Sequence, residues 1–71
     1  MQVIILRFAV TRVSNGLTQV QFTNKLNIPL KTYQGYEALG LNHREPDQSM
    51  LIKMAKILDV STDYLLGLSD Y

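Results

Sequence analysis

The sequence predicts an all-α domain, because three observations point the same way. Apolar residues recur at helical spacing along several segments, and residues suited to cap a helix stand at the ends of these segments. No alternation of apolar and polar residues lasts long enough for a half-buried strand. The chain has 71 residues, no cysteine and one histidine, His43, which allows one domain over residues 1–71 and excludes disulfides, cysteine metal sites and multi-histidine sites.

The first helix is predicted over about residues 2–14, which contain neither Gly nor Pro. Ile4, Phe8 and Thr11 recur there at helical spacing and are expected on one face. Gly16 follows, and a glycine just past a helix supplies the left-handed conformation that ends it.

The second helix is predicted to begin after Thr18. Thr18 is followed three residues later by Gln21, which is the capping-box pattern of a helix start. Phe22 and Leu26 lie four residues apart and are expected on the inner face. Asn27 tolerates the left-handed conformation better than most residues, so the helix is expected to stop there.

The third helix is predicted over about residues 30–38, because Pro29 has the fixed φ that suits a helix start. At about 100° per residue, its side chains divide between two sides. One side carries Leu30, Lys31, Gln34 and Gly35, and the other carries Tyr33, Tyr36 and Glu37. Residues 39–46 are predicted to form a loop, since they contain Gly, Asn and Pro.

A fourth helix is predicted to begin at a cap formed by Asp47 or Ser49 and to end at Asp59. Its apolar stripe consists of Leu51, Met54, Ala55 and Leu58. A short fifth helix is predicted over residues 63–66, capped by Ser61 or Thr62 and closed by Gly67.

The composition excludes several classes of protein. The hydrophobic fraction of 46% is typical of a globular chain rather than a disordered one. The longest fully apolar run is residues 3–6, which is too short for a membrane span or the core of a signal peptide. We therefore expect a cytoplasmic protein with no membrane partner.

The net charge of +1 conceals an uneven distribution. Residues 1–44 contain five Lys and Arg against one Glu, whereas residues 45–71 contain two Lys against five Asp and Glu. Such a division can orient a protein on a polyanion. Ordinary scatter of surface charge gives the same counts, so the charges alone leave both interpretations open.

The chain resembles a known family once these segments are read together. Two short helices joined by a short turn form a helix-turn-helix unit. Gly16-Leu17-Thr18-Gln19, then Tyr36-Glu37, then the run from Leu58-Asp59-Val60-Ser61 to Tyr64-Leu65-Leu66-Gly67 resemble the Cro/C1-type, or Xre-type, helix-turn-helix family. The resemblance covers about residues 4–67. It implies a lambda-repressor-like fold of five helices, with the helix-turn-helix at about residues 18–38 and DNA binding through the third helix.

The resemblance also implies which residues contact the DNA backbone. Thr18 and Gln19 match the start of the second helix, where a helix N-terminus presents free N–H groups to a phosphate. For Thr18, a purely structural cap is the alternative. Thr32 is expected to point sideways, toward the DNA backbone or the helix start, and Arg44 lies in the loop after the third helix, so both are candidates for phosphate contacts.

Leu30, Lys31 and Gln34 match the positions that face the major groove in the family. Lys31 is suited to guanine, Gln34 to adenine, and Leu30 to the methyl group of thymine. A solvated helix face is the alternative for all three. Tyr33 and Tyr36 fall where the family has core residues, so they are expected to be buried rather than stacked on bases.

Arg12 and Glu37 match positions that form a buried ion pair in some relatives. We predict that pair here. It would connect the first helix to the end of the third and so fix the angle at which the third helix is presented.

Four features depart from the family pattern. Thr23 and Asn27 replace small residues between the two motif helices. Gly35 lies inside the third helix, where it costs about 1 kcal/mol relative to Ala and removes a side chain from the groove face. The loop from Glu37 to Pro46 is longer than usual. Apolar residues at positions 5 and 6, Ile5 and Leu6, suggest a protein interface at the N-terminus.

The leading functional hypothesis is a sequence-specific, repressor-like transcription regulator of the phage or prophage type, whose partner is double-stranded DNA. We expect a homodimer on two half-sites, because one domain buries little DNA. The chain ends four residues past Gly67, so the dimer contacts are expected from the fifth helix, the loops or the apolar N-terminus.

The alternative hypothesis is a protein-binding module on the same fold, of the antitoxin or antirepressor type, with weak DNA binding or none. Gly35, Leu30 and the modest net charge favour it. An enzyme is disfavoured, because one loop histidine and no cysteine leave no set of nucleophile, base and orienting group. We therefore expect no cofactor, no metal and no small-molecule substrate.

Overall fold

Five α-helices form the domain in a computed structural model that describes residues 3–38 and 40–70, with side chains from residue 7 onward. The helices are α1 (Val3–Ser14), α2 (Gln19–Leu26), α3 (Leu30–Glu37), α4 (Gln48–Leu58) and α5 (Thr62–Leu65). The described residues contain no strand, which confirms the all-α prediction. No helix in this part of the chain has the length and apolar character needed to cross a bilayer.

The helix ends follow the capping residues in the sequence. The Thr18 hydroxyl accepts a hydrogen bond from the Gln21 N–H at 3.0 Å, and the Gln21 side chain accepts one from the Thr18 N–H, which completes the predicted capping box. Asn27 and Asp59 end α2 and α4 in the left-handed conformation, with φ near 57° and 58°. Asp47, and not Ser49, caps α4 by accepting from the Met50 N–H at 2.8 Å.

Two helix boundaries and one loop differ from the predicted ones. Helix α3 ends at Glu37 rather than at Ala38, whose backbone is extended. A 3₁₀ turn, Gly40–Asn42, lies inside the predicted loop. Helix α5 begins at Thr62 rather than at residue 63, because the Ser61 hydroxyl accepts from the Tyr64 N–H and so makes Ser61 the cap.

The core draws side chains from all five helices. Buried apolar residues are Phe8, Phe22, Leu26, Tyr33, Tyr36, Leu51, Met54, Ala55, Leu58 and Leu65. Tyr33 meets Phe22 edge-on with ring centres 5.2 Å apart, and meets Tyr36 in the same way at 5.8 Å. Both tyrosines are therefore core residues, as predicted.

Arg7 fastens α1 to the C-terminal segment. Its guanidinium donates to the backbone carbonyls of Tyr64 and Ser69, at 2.8 Å and 2.6 Å, and lies over the Tyr64 ring. This contact leaves Arg7 directed inward. The side chains of Ile4, Ile5 and Leu6, for which the sequence predicts a core position and a protein interface, lie outside the described side chains.

Two buried threonines give a matched test of polar burial. Thr11 and Thr23 are 6% and 3% exposed. The Thr23 hydroxyl donates to the Val20 carbonyl at 2.9 Å, whereas the Thr11 hydroxyl has no hydrogen-bond partner within the described part of the chain. Replacing Thr11 with Val therefore removes an unsatisfied polar group, and replacing Thr23 with Val breaks a hydrogen bond.

We predict that Thr11→Val raises the free energy of unfolding by about 1 kcal/mol, since the uncompensated desolvation of one hydroxyl is removed. Thr23→Val, as the control, should lower it by about 0.5–1.5 kcal/mol. Urea denaturation of both variants measures the difference. Equal effects of the two substitutions would show that the Thr11 hydroxyl has a partner in solution.

Candidate nucleic-acid interface

Helices α2 and α3 form a compact helix-turn-helix unit. The left-handed Asn27 reverses the chain after α2, and the Ile28 N–H donates to the Thr23 carbonyl at 3.2 Å. Lys53 of α4 donates through Nζ to the carbonyl of Leu26 at 2.8 Å, which satisfies a carbonyl at the end of α2. The turn that precedes α3 is therefore held both by α2, through Thr23, and by α4, through Lys53.

A carboxylate at the end of α3 ties this unit to α1. The Arg12 guanidinium donates to Glu37 through Nε at 2.9 Å and through Nη2 at 3.3 Å. Gln19, at the start of α2, donates to Glu37 at 3.0 Å, and the Tyr33 hydroxyl donates to the same carboxylate. The side chains of Arg12 and Glu37 are 12% and 10% exposed, so the predicted ion pair lies largely out of water.

These contacts shift the titration of the groups involved. Burial by itself raises the pKa of Glu37, but the hydrogen bonds from Arg12, Tyr33 and Gln19 outweigh it and hold the pKa below its ordinary value of 4.5. Burial, followed by the hydrogen bond to Glu37, raises the pKa of Tyr33. Glu37 is therefore ionised, and Tyr33 neutral, at physiological pH.

The start of α2 offers two kinds of donor. Thr18 is exposed and caps the Gln21 N–H, which leaves the N–H groups of Gln19 and Val20 without an intrahelical partner. The Gln19 side chain is half-buried, and one of its two amide hydrogens is committed to Glu37. The second amide hydrogen and the backbone N–H groups are the donors that a phosphate would meet here.

A groove on the outer side of α3 brings three of the predicted residues together. Helix α3 supplies Lys31, Gln34 and Gly35 to its wall. The loop that follows supplies Ala38, Leu41, Asn42, His43 and Arg44. Lys31, Gln34 and Arg44 are exposed. Leu30 and Thr32 are half-buried in the first turn of α3 and do not line this groove.

Leu41 and Asn42 are exposed groove residues that the sequence analysis did not assign. They lie in the 3₁₀ turn, and the left-handed Gly40 begins that turn. Gly40 is a signal for a turn, but it does not indicate on which side of α3 the turn packs.

The prediction that Gly35 leaves the groove face without a side chain is wrong. In the structure, the side chain of Arg44 fills the space beside Gly35. A β-carbon built on Gly35 would lie 2.9 Å from Cδ and 3.0 Å from Cγ of Arg44. Arg44 therefore covers part of the α3 surface, and the groove face carries a second cation beside Lys31, supplied by the loop rather than by α3.

Only part of the positive charge in residues 1–44 faces solvent in the structure. Of the five cations in this range, Arg7 is directed to the C-terminal segment and Arg12 to Glu37. Lys25, Lys31 and Arg44 have no ion-pair partner among residues 3–38 and 40–70, and all three are exposed. These three charges remain to face a polyanion. In the same ranges, no cluster of His, Asp and Glu side chains is placed to hold a metal ion.

A family model described as helix-turn-helix matches residues 11–65. The HTH-type transcriptional regulator ImmR of Bacillus subtilis (strain 168) is 39% identical over 61 residues, which is 86% of this chain and 46% of the relative. The uncharacterized HTH-type transcriptional regulator YqaE of the same organism is 47% identical over 55 residues, or 78% of this chain and 45% of the relative.

A third relative, the uncharacterized HTH-type transcriptional regulator YobD of Bacillus subtilis (strain 168), is 39% identical over 59 residues, or 83% of this chain and 50% of the relative. The chain thus spans about half the length of these curated relatives. No solved structure matches it significantly.

We predict that Arg12→Met lowers the free energy of unfolding by about 3–5 kcal/mol at pH 7, because it leaves the Glu37 carboxylate buried without its cation. A loss of this size equals the stability that a core of about 70 residues supplies, so the variant should be largely unfolded at 25 °C. Circular dichroism during thermal unfolding measures this. An unchanged melting temperature would show that the ion pair between Arg12 and Glu37 contributes nothing to stability.

The pair should also make stability depend on pH. Because folding lowers the pKa of Glu37, its contribution is present above about pH 4.5 and is lost as the pH falls below that value. The gap in stability between wild type and Glu37→Gln should therefore narrow from pH 7 to pH 3. Glu45→Gln, at a carboxylate that is 82% exposed, serves as the control and should show no such gap.

Proposed function

Since the chain belongs to the Cro/C1-type helix-turn-helix family, we propose that it is a sequence-specific, DNA-binding transcription regulator. In this proposal α3 enters the major groove of double-stranded DNA. Lys31 and Gln34 bond to base edges, and Leu30 packs on a thymine methyl group. The N-terminus of α2, with Thr18 and Gln19, binds a phosphate.

The observation that supports this proposal is the division of α3 into an exposed polar side and a buried aromatic side. Lys31, Gln34 and Arg44 are exposed together on the groove face, while the aromatic residues of the same helix are buried on the other side. A helix held by its apolar face and presenting cationic and amide groups outward has the donors that base edges and phosphates require. Thr32, half-buried beside this face, is a further phosphate contact in the proposal.

The mechanism is repression by occupancy of an operator. A homodimer would place two copies of α3 in successive major grooves about 34–36 Å apart. Occupancy of both half-sites would exclude RNA polymerase from the same duplex. The proposal places the protein in the cytoplasm, where a bacterial regulator meets its DNA, and requires no cofactor.

Selection of bound duplexes from a random pool tests this function most directly. An enriched site with two half-sites one helical turn apart supports the proposal, and the spacing reports the number of copies bound. Titration with salt is the second measurement. If each of the three exposed cations of residues 1–44 neutralises one phosphate, log K falls against log[salt] with a slope of about −3 for one copy and about −5 for two.

Absence of salt-dependent binding up to about 100 µM protein would overturn the proposal, because non-specific binding alone reaches that range. The outcome would then favour a protein-binding role for the same fold.

We predict that Lys31→Ala weakens binding to the selected duplex by about 1–3 kcal/mol and relaxes the preference at one base position, because a lysine on the groove face reads a guanine edge. Lys56→Ala removes another exposed lysine, on α4 and outside the groove, and is the control. Fluorescence anisotropy and a repeat of the selection measure both effects. Equal losses in the two variants would identify the Lys31 contribution as net charge alone.

A further inference from the structure

Gly35 lies at a position where the helical backbone does not require glycine. It lies inside α3 with helical backbone and is buried. At an interior helix position, glycine is less favourable than alanine because it loses more backbone freedom. The reason for the residue must therefore come from what packs against it.

Arg44 is the residue that packs there. The ideal β-carbon on Gly35 lies 2.9, 3.0 and 3.1 Å from Cδ, Cγ and Cβ of Arg44. The first distance is shorter than real β-carbon contacts, and the other two are tighter than most of them. Of these three atoms, Cβ moves only with the Arg44 backbone, whereas Cγ and Cδ also move when the side chain changes rotamer and leaves this seat. That backbone is itself fixed, since the Arg44 N–H donates to the Gly35 carbonyl at 2.9 Å.

The contact delivers a charge to the groove face. Lys31 precedes Gly35 by one helical turn, so the two positions share a row on the surface of α3. With its stem seated in that row, Arg44 lines the same groove as Lys31 and Gln34. Its guanidinium has no carboxylate within ion-pair distance among the residues that the structure describes.

We propose that Gly35 is a positioning residue for DNA binding: it seats Arg44 on α3, so that the guanidinium serves as a side chain of the recognition helix and binds a backbone phosphate. This inference rests on the proposed function. A phosphate is the expected partner because Arg44 comes from the loop after α3 and reaches the helix on the C-terminal side of Lys31 and Gln34, the residues proposed to meet base edges.

A double-mutant cycle tests the proposal with wild type, Gly35→Ala, Arg44→Ala and the double variant. Affinity for the selected duplex and for an unrelated duplex is measured between 50 and about 200 mM salt. Either single substitution should weaken binding about tenfold per bound copy near 0.1 M salt, on both duplexes, and make the salt slope shallower by about 0.9. The double variant should bind no more weakly than Arg44→Ala.

Thermal unfolding of the same four proteins without DNA tests the contact itself. In the Arg44→Ala background, Gly35→Ala should raise the melting temperature by at most about 4–8 °C, because alanine favours the helix and the only close neighbour left is the β-carbon of residue 44, at 3.1 Å. In the wild-type background that gain should be absent. Arg44→Met retains most of the stem without the charge and should reproduce the shallower salt slope.

Several results would overturn the proposal. A further loss of affinity when Gly35→Ala is added to Arg44→Ala would assign its effect to helix geometry instead. A change of preference at one base position in Arg44→Ala would replace the phosphate with a base. Wild-type affinity in Gly35→Ala, with the thermal coupling intact, would refute positioning while leaving the proposed function standing. Absence of DNA binding by wild type would refute both.

Discussion

The carboxylate of Glu37 is the group on which the relative placement of α1, α2 and α3 depends. It accepts hydrogen bonds from Arg12 on α1, Gln19 on α2 and Tyr33 on α3 itself. Ionisation costs desolvation at a site this buried, and the donors from three helices offset that cost. Each donor has a direction, so the cluster fixes angles as well as distances, which apolar packing alone does less well.

Because the cluster holds the end of α3, it also determines what the rest of that helix presents to solvent. The Tyr33 ring packs between Phe22 and Tyr36 while its hydroxyl bonds to Glu37, so one residue couples the polar cluster to the core. Rotation of α3 about its axis would break these contacts together. The outward side, with Lys31 and Gln34, is thereby held to one orientation, and a helix that reads a duplex requires such rigidity.

The sequence predicts the helices well because their ends are decided locally. Thr18 with Gln21, Asn27 and Asp59 each act within one turn of the chain, and all of them end or begin a helix where predicted. The seating of Arg44 on Gly35 joins residues nine positions apart across a turn, and no local pattern encodes it. Counting charges along the sequence overestimates the cations that face solvent for the same reason. The count does not reveal that Arg7 and Arg12 are directed inward.

This inward use of two arginines bears on how such a domain would hold DNA. With three exposed cations left in the basic half, each domain neutralises few phosphates, and the sequence-independent part of its affinity is correspondingly small. Two strategies increase it without adding charge. One is to place each cation where it meets a phosphate, which is the role proposed for the contact between Gly35 and Arg44. The other is to bind two copies side by side, which doubles the phosphates neutralised by one assembly. In a domain that uses its arginines to hold itself together, DNA affinity therefore depends on geometry and copy number more than on net charge.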